Sequence, residues 1–365
     1  MKGGLALDEA IGPDRLNAAG RAGGRSRRPV IAIAGAGGSV GSRLAAMLPP
    51  EAALIGIGRH PAASGHHGRL AWRTCDFYSQ EEAVFALAEV DMAIFLLHAG
   101  KPSARLTQGT SRDLDALLAE HFAFAAAANG VKRIICLDGN ILPYPSMPRR
   151  AGNGQERRGV EGILASHGVP LTVIPAGGAG PLQAAAAICA ALGYRAMAGE
   201  KGTGDTVREA SGQAGFANGM DRRRDVRSVQ RLTLPDGMNA EQAAFYYLDW
   251  LSRFGRPLLR VDRNPAGECR IYAAGIPHPL LQLTERRQAG AFRSYTFEIS
   301  GGLLAGKGKG RRGRLEFLLL PGSRECLAAI HDFIPSLPWL LYKYSQAQVH
   351  LLVMYAFGRH LKKWR

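Results

Sequence analysis

The sequence predicts an α/β protein: a doubly wound parallel sheet, then a second α+β domain with an antiparallel sheet and a long C-terminal helix. Three observations predict it. In the first half, short and nearly uninterrupted apolar runs alternate with segments of helical period, as strands buried on both faces alternate with their crossover helices. The first of these runs, Val30-Ile-Ala-Ile-Ala34, is separated from the first helical period by three glycines, Gly35, Gly38 and Gly41. In the second half the pattern changes to short runs of period two, such as Arg293-Ser-Tyr-Thr-Phe-Glu-Ile299, and ends on a helical stripe.

Residues 1–28 hold Gly, Arg and Asp without a sustained period and read as a poorly ordered leader. A strand from Val30 and a helix carrying Val40, Leu44 and Leu48 follow, and Pro49-Pro50 marks a break. Ala53 to Gly58 reads as a second strand ending at Arg59-His60, and Leu70 to Cys75 as a third ending at Asp76. Glu81 to Ala88 is a short helix and Val90 to Leu97 a fourth strand, with a turn over Ala99 to Ser103. Arg112 to Asn129 forms a helix with Leu114, Leu117, Leu118, His121, Phe122 and Ala125 along one side, and Gly130 supplies the C-terminal cap. Val131 to Leu137 is a fifth strand, 138–153 a Pro/Gly loop, Val160 to His167 a helix and Leu171 to Ile174 a sixth strand. Residues 195–228 are rich in Gly, Arg, Asp and Ser and read as a flexible linker. Val229 to Leu234 then forms a strand, Ala240 to Phe254 an aromatic helix, and Leu258 to Leu320 a set of antiparallel strands. The chain closes on one helix from Trp339 to His360, with Leu340, Tyr344, Ala347, Leu351, Met354 and Tyr355 as its packing stripe. The expected divisions are therefore 29–194 for the first domain and 229–365 for the second.

The order strand, glycine turn, helix points to a dinucleotide. Glycine lets the backbone turn tightly and approach a pyrophosphate, and the helix N-terminus offers unpaired N–H groups at its positive dipole end. Gly35, Gly38, Ser39, Val40 and Gly41 are the candidate diphosphate residues. An overlapping Gly-x-Ser-x-Gly, Gly37 to Gly41, would be a nucleophile elbow in a serine hydrolase, but only a polar tail precedes this strand and the match reads as accidental. In a doubly wound sheet the ligand lies across the carboxyl ends of the strands. An acidic residue at the end of the second strand would favour NAD; Arg59 and His60 stand there instead and suit a 2′-phosphate, hence NADP(H) over NAD.

The Gly35-x-x-Gly38-x-x-Gly41 spacing resembles the short-chain dehydrogenase/reductase family, and within it the extended and atypical members. Cys75-Asp76-Phe77 resembles the pair with which that family holds adenine, and the resemblance implies that Asp76 accepts from the exocyclic amine while Phe77 supplies an apolar wall. The fourth strand, ending in Leu97, His98 and Ala99, is similar to the family strand that ends in a small-residue turn beside the cofactor. Asn129-Gly-Val-Lys-Arg133 resembles its entry to the fifth strand, and 160–174 resembles the next helix and strand of NmrA-like members. The likeness covers residues 30–185 and implies a Rossmann sheet. Classical members of the family carry a Tyr-x-x-x-Lys pair whose lysine lowers the tyrosine pKa for proton transfer. Here Asn153 and Arg157 fall about where the pair would fall, Tyr144 is followed four residues on by Pro148, and Asp138 or Gly139 stands where a serine would be. No catalytic residue is assigned.

Residues 229–365 are similar in order and length to a sheet-wrapped-on-helix domain of the START/SRPBCC type, which implies an apolar ligand between sheet and helix. His331, Asp332, His350 and His360 are polar candidates near the last helix. The function expected is that of an NADP(H)-binding oxidoreductase or isomerase acting on a small apolar or carbonyl compound. The alternative is a non-catalytic redox sensor or assembly protein that binds NADP(H).

Composition bounds the partners. At 365 residues with 46% hydrophobic and 21% charged residues, the chain has material for two cores. No apolar run is long enough for a transmembrane helix, and no secretory signal opens the chain. Five scattered cysteines form neither a metal knuckle nor a disulfide framework, which fits the reducing cytoplasm. The net charge of +16 is clustered, as at Arg222–Arg231 and Arg359–Arg365. The clusters lack interleaved aromatics, so specific nucleic-acid binding is not expected, while the C-terminal cluster suits peripheral contact with an anionic membrane.

Overall fold

The computed structural model describes residues 28–59, 70–99, 104–138, 154–175, 180–194, 225–286, 293–306 and 313–363, with the side chains of 154–158 left out. The leader, Arg28 excepted, and nearly all of the linker read from the sequence lie outside these residues. In chain order the first part comprises β1 (Val30–Ala34), α1 (Ser39–Met47), β2 (Ala53–Gly58), β3 (Leu70–Thr74), α2 (Gln80–Ala86), β4 (Met92–Phe95), β5 (Leu106–Gln108), α3 (Ser111–Ala128), β6 (Arg133–Leu137), α4 (Gly154–Ala165), β7 (Leu171–Ile174) and α5 (Pro181–Ala191). The second part comprises β8 (Val226–Thr233), α6 (Ala240–Phe254), β9 (Leu259–Arg263), β10 (Glu268–Ala273), β11 (Leu281–Arg286), β12 (Ser294–Gly301), β13 (Arg314–Leu319), β14 (Glu325–Phe333), α7 (Trp339–Tyr344) and α8 (Gln346–Lys362).

Six strands pair in parallel in the order β3-β2-β1-β4-β6-β7. This is the doubly wound Rossmann sheet. Ile31 to Ala34 of β1 are all buried because helices cover both faces, α1 and α5 on one, α2, α3 and α4 on the other. Local chemistry sets the ends: Thr110 Oγ1 accepts from the Asp113 amide at 3.2 Å to start α3, and Gly130, at φ +65°, follows its end as the sequence predicts.

The second sheet has eight strands in the order β5-β8-β14-β13-β12-β11-β10-β9, antiparallel except for the β5–β8 pair. The antiparallel run over 258–320 is thus present. One strand was not expected: β5 leaves the first sheet straight after β4 and pairs with β8, so three residues inside 29–194 belong to the other sheet. Three residues are too few to show a period.

One face of this second sheet packs on the first domain. Val229, Leu318, Leu320, Leu327 and Ala329 share a core with Phe122 and Ala126 of α3. The other face is covered by α6 and α8, where Tyr247, Trp250, Phe297, Phe317 and Phe357 fill the space with interlocking rings. That interior is packed, and a START-type ligand cavity is not shown. The layers therefore run helices, parallel sheet, helices, antiparallel sheet, helices.

The last helix departs from expectation in two ways. It is broken at Ser345 (φ −121°, ψ −82°) into α7 and α8. Its predicted packing stripe also divides: Ala347 and Met354 are buried with Tyr342, Phe357 and Leu361, whereas Leu340, Tyr344 and Tyr355 are exposed. The helix is apolar on both sides, so periodicity alone chose a mixture of the two.

Candidate nucleotide-binding site

All six parallel strands end at the same edge, and the order β3-β2-β1-β4 brings the ends of four of them side by side. At the centre, β1 enters the glycine turn. Gly35 adopts φ +93°, where a side chain is strained; its amide donates to Ile57 O at 2.9 Å and its carbonyl accepts from the Gly38 amide at 2.9 Å. A Cβ on Gly41 would lie 2.5 Å from Gly35 O and 2.7 Å from Ala36 Cα, so α1 starts in direct backbone contact with the turn. Gly37, Gly38 and Ser39 are exposed, while Val40 points into the core.

The start of α1 has neither a side-chain cap nor an acid in its first turn, whereas α2, α3 and α6 have both. Its first N–H groups therefore lack side-chain acceptors, in an environment that favours an anion. Trp72, on β3, lies across Gly56 and Gly58 and reaches the turn: a Cβ on Gly58 would be 3.0 Å from its ring and one on Gly37 3.8 Å. Trp72 Nε1 is buried without a partner among the described residues. The glycine cradle and this orphaned donor fit a ribose beside a diphosphate. Trp72 escaped the sequence reading; the two glycines opposite it on β2 were the available signal.

Arg59 is half-buried at the end of β2, and its charge acts on the Tyr78 phenol. His60 lies outside the described residues. At the end of β3, Phe77 is buried against Phe122, ring centroids 5.7 Å apart. The Asp76 carboxylate accepts from the Tyr78 amide at 3.3 Å and faces Arg227 Nη2 at 3.4 Å. At the end of β4, Leu97 and Ala99 are half-buried and His98 exposed. The Ala99 amide donates to Asp115 Oδ1 at 2.6 Å. Burial pushes the Asp115 carboxyl up to about 6 against the pull of that amide. Tyr144, Asn153 and Gly139 lie outside the described residues, as does the side chain of Arg157; Asp138 is half-buried at the end of β6.

Asp115 gives a testable sign. Its folded pKa is raised, so the native state loses stability as pH climbs from about 4 through about 6. Asp115→Asn keeps the oxygen that accepts from Ala99 and removes the charge. Denaturant titration should find the variant about 1–2 kcal/mol more stable at pH 8, allowing for partial solvation, and equal to the parent at pH 4. A gap independent of pH would show that Asp115 is not desolvated.

Beneath the β3 end a polar seam joins the two sheets. Arg227 of β8 is 1% exposed and donates from Nε to His331 Nδ1 at 3.4 Å; its guanidinium lies 3.9 Å from the centre of the Tyr78 ring. Since His331 Nδ1 accepts, its proton sits on Nε2 and is donated to Glu316 Oε2 at 3.1 Å; burial holds this imidazole neutral, its pKa pushed down to about 4. His121 of α3 instead faces two acceptors, Phe77 O at 2.9 Å and Glu316 Oε1 at 3.0 Å, which raise its pKa against the effect of burial. Glu316 is held well below the usual carboxylate range by both histidines despite its burial. Arg314 Nη2 donates to Asp332 Oδ2 at 2.9 Å, and Asp332 stands at φ +53° where the β14–β8 register shifts. His331 and Asp332 thus belong to this seam. His360 accepts from or donates to Tyr246 Oη at 2.7 Å, and His350 is half-buried on α8.

No family model matches the chain. It is similar to the auxiliary protein GraX of Staphylococcus aureus (strain NCTC 8325 / PS 47), 23% identical over 331 residues that make up 90% of this chain and 92% of the relative. Among solved structures it is similar to a nucleoside-diphosphate-sugar epimerase of Staphylococcus aureus (19% identity, 40% of this chain and 49% of that one, TM-score 0.30). It is also similar to the NADPH-dependent quinone oxidoreductase QOR2 of Escherichia coli complexed with NADPH (25%, 39% and 47%, TM-score 0.30). The triphenylmethane reductase of a Citrobacter species complexed with NADP(H) is a third (20%, 40% and 48%, TM-score 0.29). The matched region spans about half of each of these three solved chains.

Proposed function

We propose that the chain is a short-chain dehydrogenase/reductase-like protein that binds NADP(H) across the β1–β2–β3–β4 edge. The observation that carries this reading is the glycine turn at the central strand, packed backbone to backbone on a helix whose first N–H groups have no side-chain cap. In this reading Gly35, Gly38, Ser39, Val40 and Gly41 shape the diphosphate site, and Arg59 with His60 meets the 2′-phosphate. Asp76 and Phe77 form the adenine end, with the Asp76 carboxylate shared with Arg227. Leu97, His98 and Ala99 face the nicotinamide half. The cofactor supplies the hydride. Asp115, held beneath Ala99, is the carboxyl of this edge that changes protonation near neutral pH, and it sets the charge beside that half.

Arg59→Asp tests the choice of nucleotide. Calorimetry should find NADPH weakened by about 100-fold, the loss of one charge-assisted phosphate contact together with new repulsion, and NADH by no more than about threefold. Equal weakening would remove Arg59 from the 2′-phosphate.

Two roles are open to such a protein. One is reduction or isomerisation of a small apolar or carbonyl compound. The other is non-catalytic: an NADP(H)-binding sensor or assembly protein. Two observations favour the second. The relative that aligns over nearly its whole length is named an auxiliary protein. The Asp76 end of the site is also tied through Arg227 to the second sheet, a route by which occupancy can alter the other domain. Following absorbance of NADPH with a panel of carbonyls and quinones separates the roles: tight binding without turnover supports the sensor, and steady oxidation of NADPH supports the enzyme.

A further inference from the structure

We propose that α7 and α8 form a surface that docks peripherally on an anionic lipid bilayer. The exposed side of this helix pair is largely apolar, with Gln348 and the flanking cations as its polar members, where a solvated helix carries mixed charge. Leu340 is 68% exposed, Tyr344 70%, Val349 58%, Leu352 63% and Tyr355 64%. On α8 the spacing of Val349, Leu352, Tyr355 and Arg359 places them along one stripe, opposite the buried Ala347, Met354, Phe357 and Leu361. The stripe is therefore surplus to the core, which α8 already serves with its other face.

Charge identifies the occupant. No Asp or Glu follows Asp332 in the sequence, while Lys343, Arg359, Lys362 and Lys363 border the apolar stripe and are exposed. The Lys343 ammonium lies 5.2 Å from the centre of the Tyr344 ring and the Arg359 guanidinium 5.9 Å from that of Tyr355, so the cations flank the exposed rings. A two-fold contact of this helix pair with its own copy would bring like charges together, since neither α7 nor α8 carries an acid. Tyrosines at an apolar–polar boundary with flanking lysine and arginine match the headgroup level of a bilayer, with the apolar stripe entering the acyl boundary and the cations meeting anionic headgroups. No helix among the described residues is long and apolar enough to cross a membrane, so the contact is in the plane of the surface.

The test is flotation of the full chain with vesicles of phosphatidylcholine alone and of phosphatidylcholine mixed with phosphatidylglycerol. The mixed vesicles should bind at least about tenfold more tightly, and salt should weaken them. Leu352→Glu/Tyr355→Glu, at positions that pack on nothing in the core, should lower that binding by about tenfold or more with an unchanged melting temperature and unchanged NADPH titration. Lys362→Glu/Lys363→Glu should lower it through charge alone. Three results would each overturn the proposal. One is absence of binding to either vesicle. Another is anionic binding undiminished by the Leu352/Tyr355 variant, which would assign it to basic segments elsewhere. The third is self-association abolished by that variant in a protein that ignores vesicles, which would make the face a contact between copies.

Discussion

Gly41→Val is expected to abolish detectable NADPH binding while leaving the second domain folded. Even a Cβ at Gly41 would stand 2.5 Å from Gly35 O and 2.7 Å from Ala36 Cα, both backbone atoms that cannot swing aside. The first turn of α1 must retreat from the glycine turn, at an overpacking cost of about 1–3 kcal/mol. The amides that would meet a diphosphate then move by a sizeable fraction of an ångström. Hydrogen bonds to an anion are short and directional, and losing two of them weakens binding by about 100-fold or more, which is about 2.7 kcal/mol. Gly38→Ala is the graded control. Gly38 stands at φ −82° and a Cβ there would meet only Gly35 O, at 3.2 Å, so a smaller loss is expected. Calorimetric titration with NADPH, beside far-ultraviolet circular dichroism, measures both. A folded Gly41→Val protein that binds NADPH within about threefold of the parent would remove the glycine turn from the diphosphate.

This site was legible in the sequence to the extent that it is local. β1, the three glycines and α1 occupy one stretch of chain, and each has a backbone reason for its residue types. β2, β4 and β6 could be read as apolar runs because burial on both faces leaves little room for polar residues. The seam was not legible, because its members meet only in three dimensions: Asp76 and Arg227 are 151 residues apart, and His121 and Glu316 195. Arg227 also sits in the cluster Arg222–Arg231, whose charge reads as solvated linker, yet Val226–Thr233 is a strand inside the second sheet. Patterning assigns arginine to solvent unless its counter-charges are known, and here they come from two other segments. Asp115 and Trp72 were missed for a related reason. Each lies on a regular element with no motif of its own, and only the position of the neighbouring turn gives it a role.

Arg227→Met should cost about 3–5 kcal/mol of stability, the range for removing one partner of a buried ion pair. The guanidinium is the cation lying between Asp76, 3.4 Å from Nη2, and Asp332, 3.8 Å from it, and it is 1% exposed. Methionine fills similar volume and keeps contact with the Tyr78 ring, so the loss reports charge rather than a cavity. Arg314 still holds Asp332, which leaves Asp76 as the carboxylate most affected. Neutralising it should therefore recover much of the loss: Arg227→Met/Asp76→Asn should regain about 1–3 kcal/mol over the single variant, a coupling read from the full double-mutant cycle. The same cycle bears on function. If the second sheet reads occupancy of the nucleotide site through this pair, Arg227→Met should uncouple the two, so that saturating NADPH no longer raises the unfolding midpoint of both domains together. Midpoints that still rise together in the variant would place the coupling elsewhere in the interface, with Arg231 and Asp113, 2.6 Å apart across it, as the next pair to break.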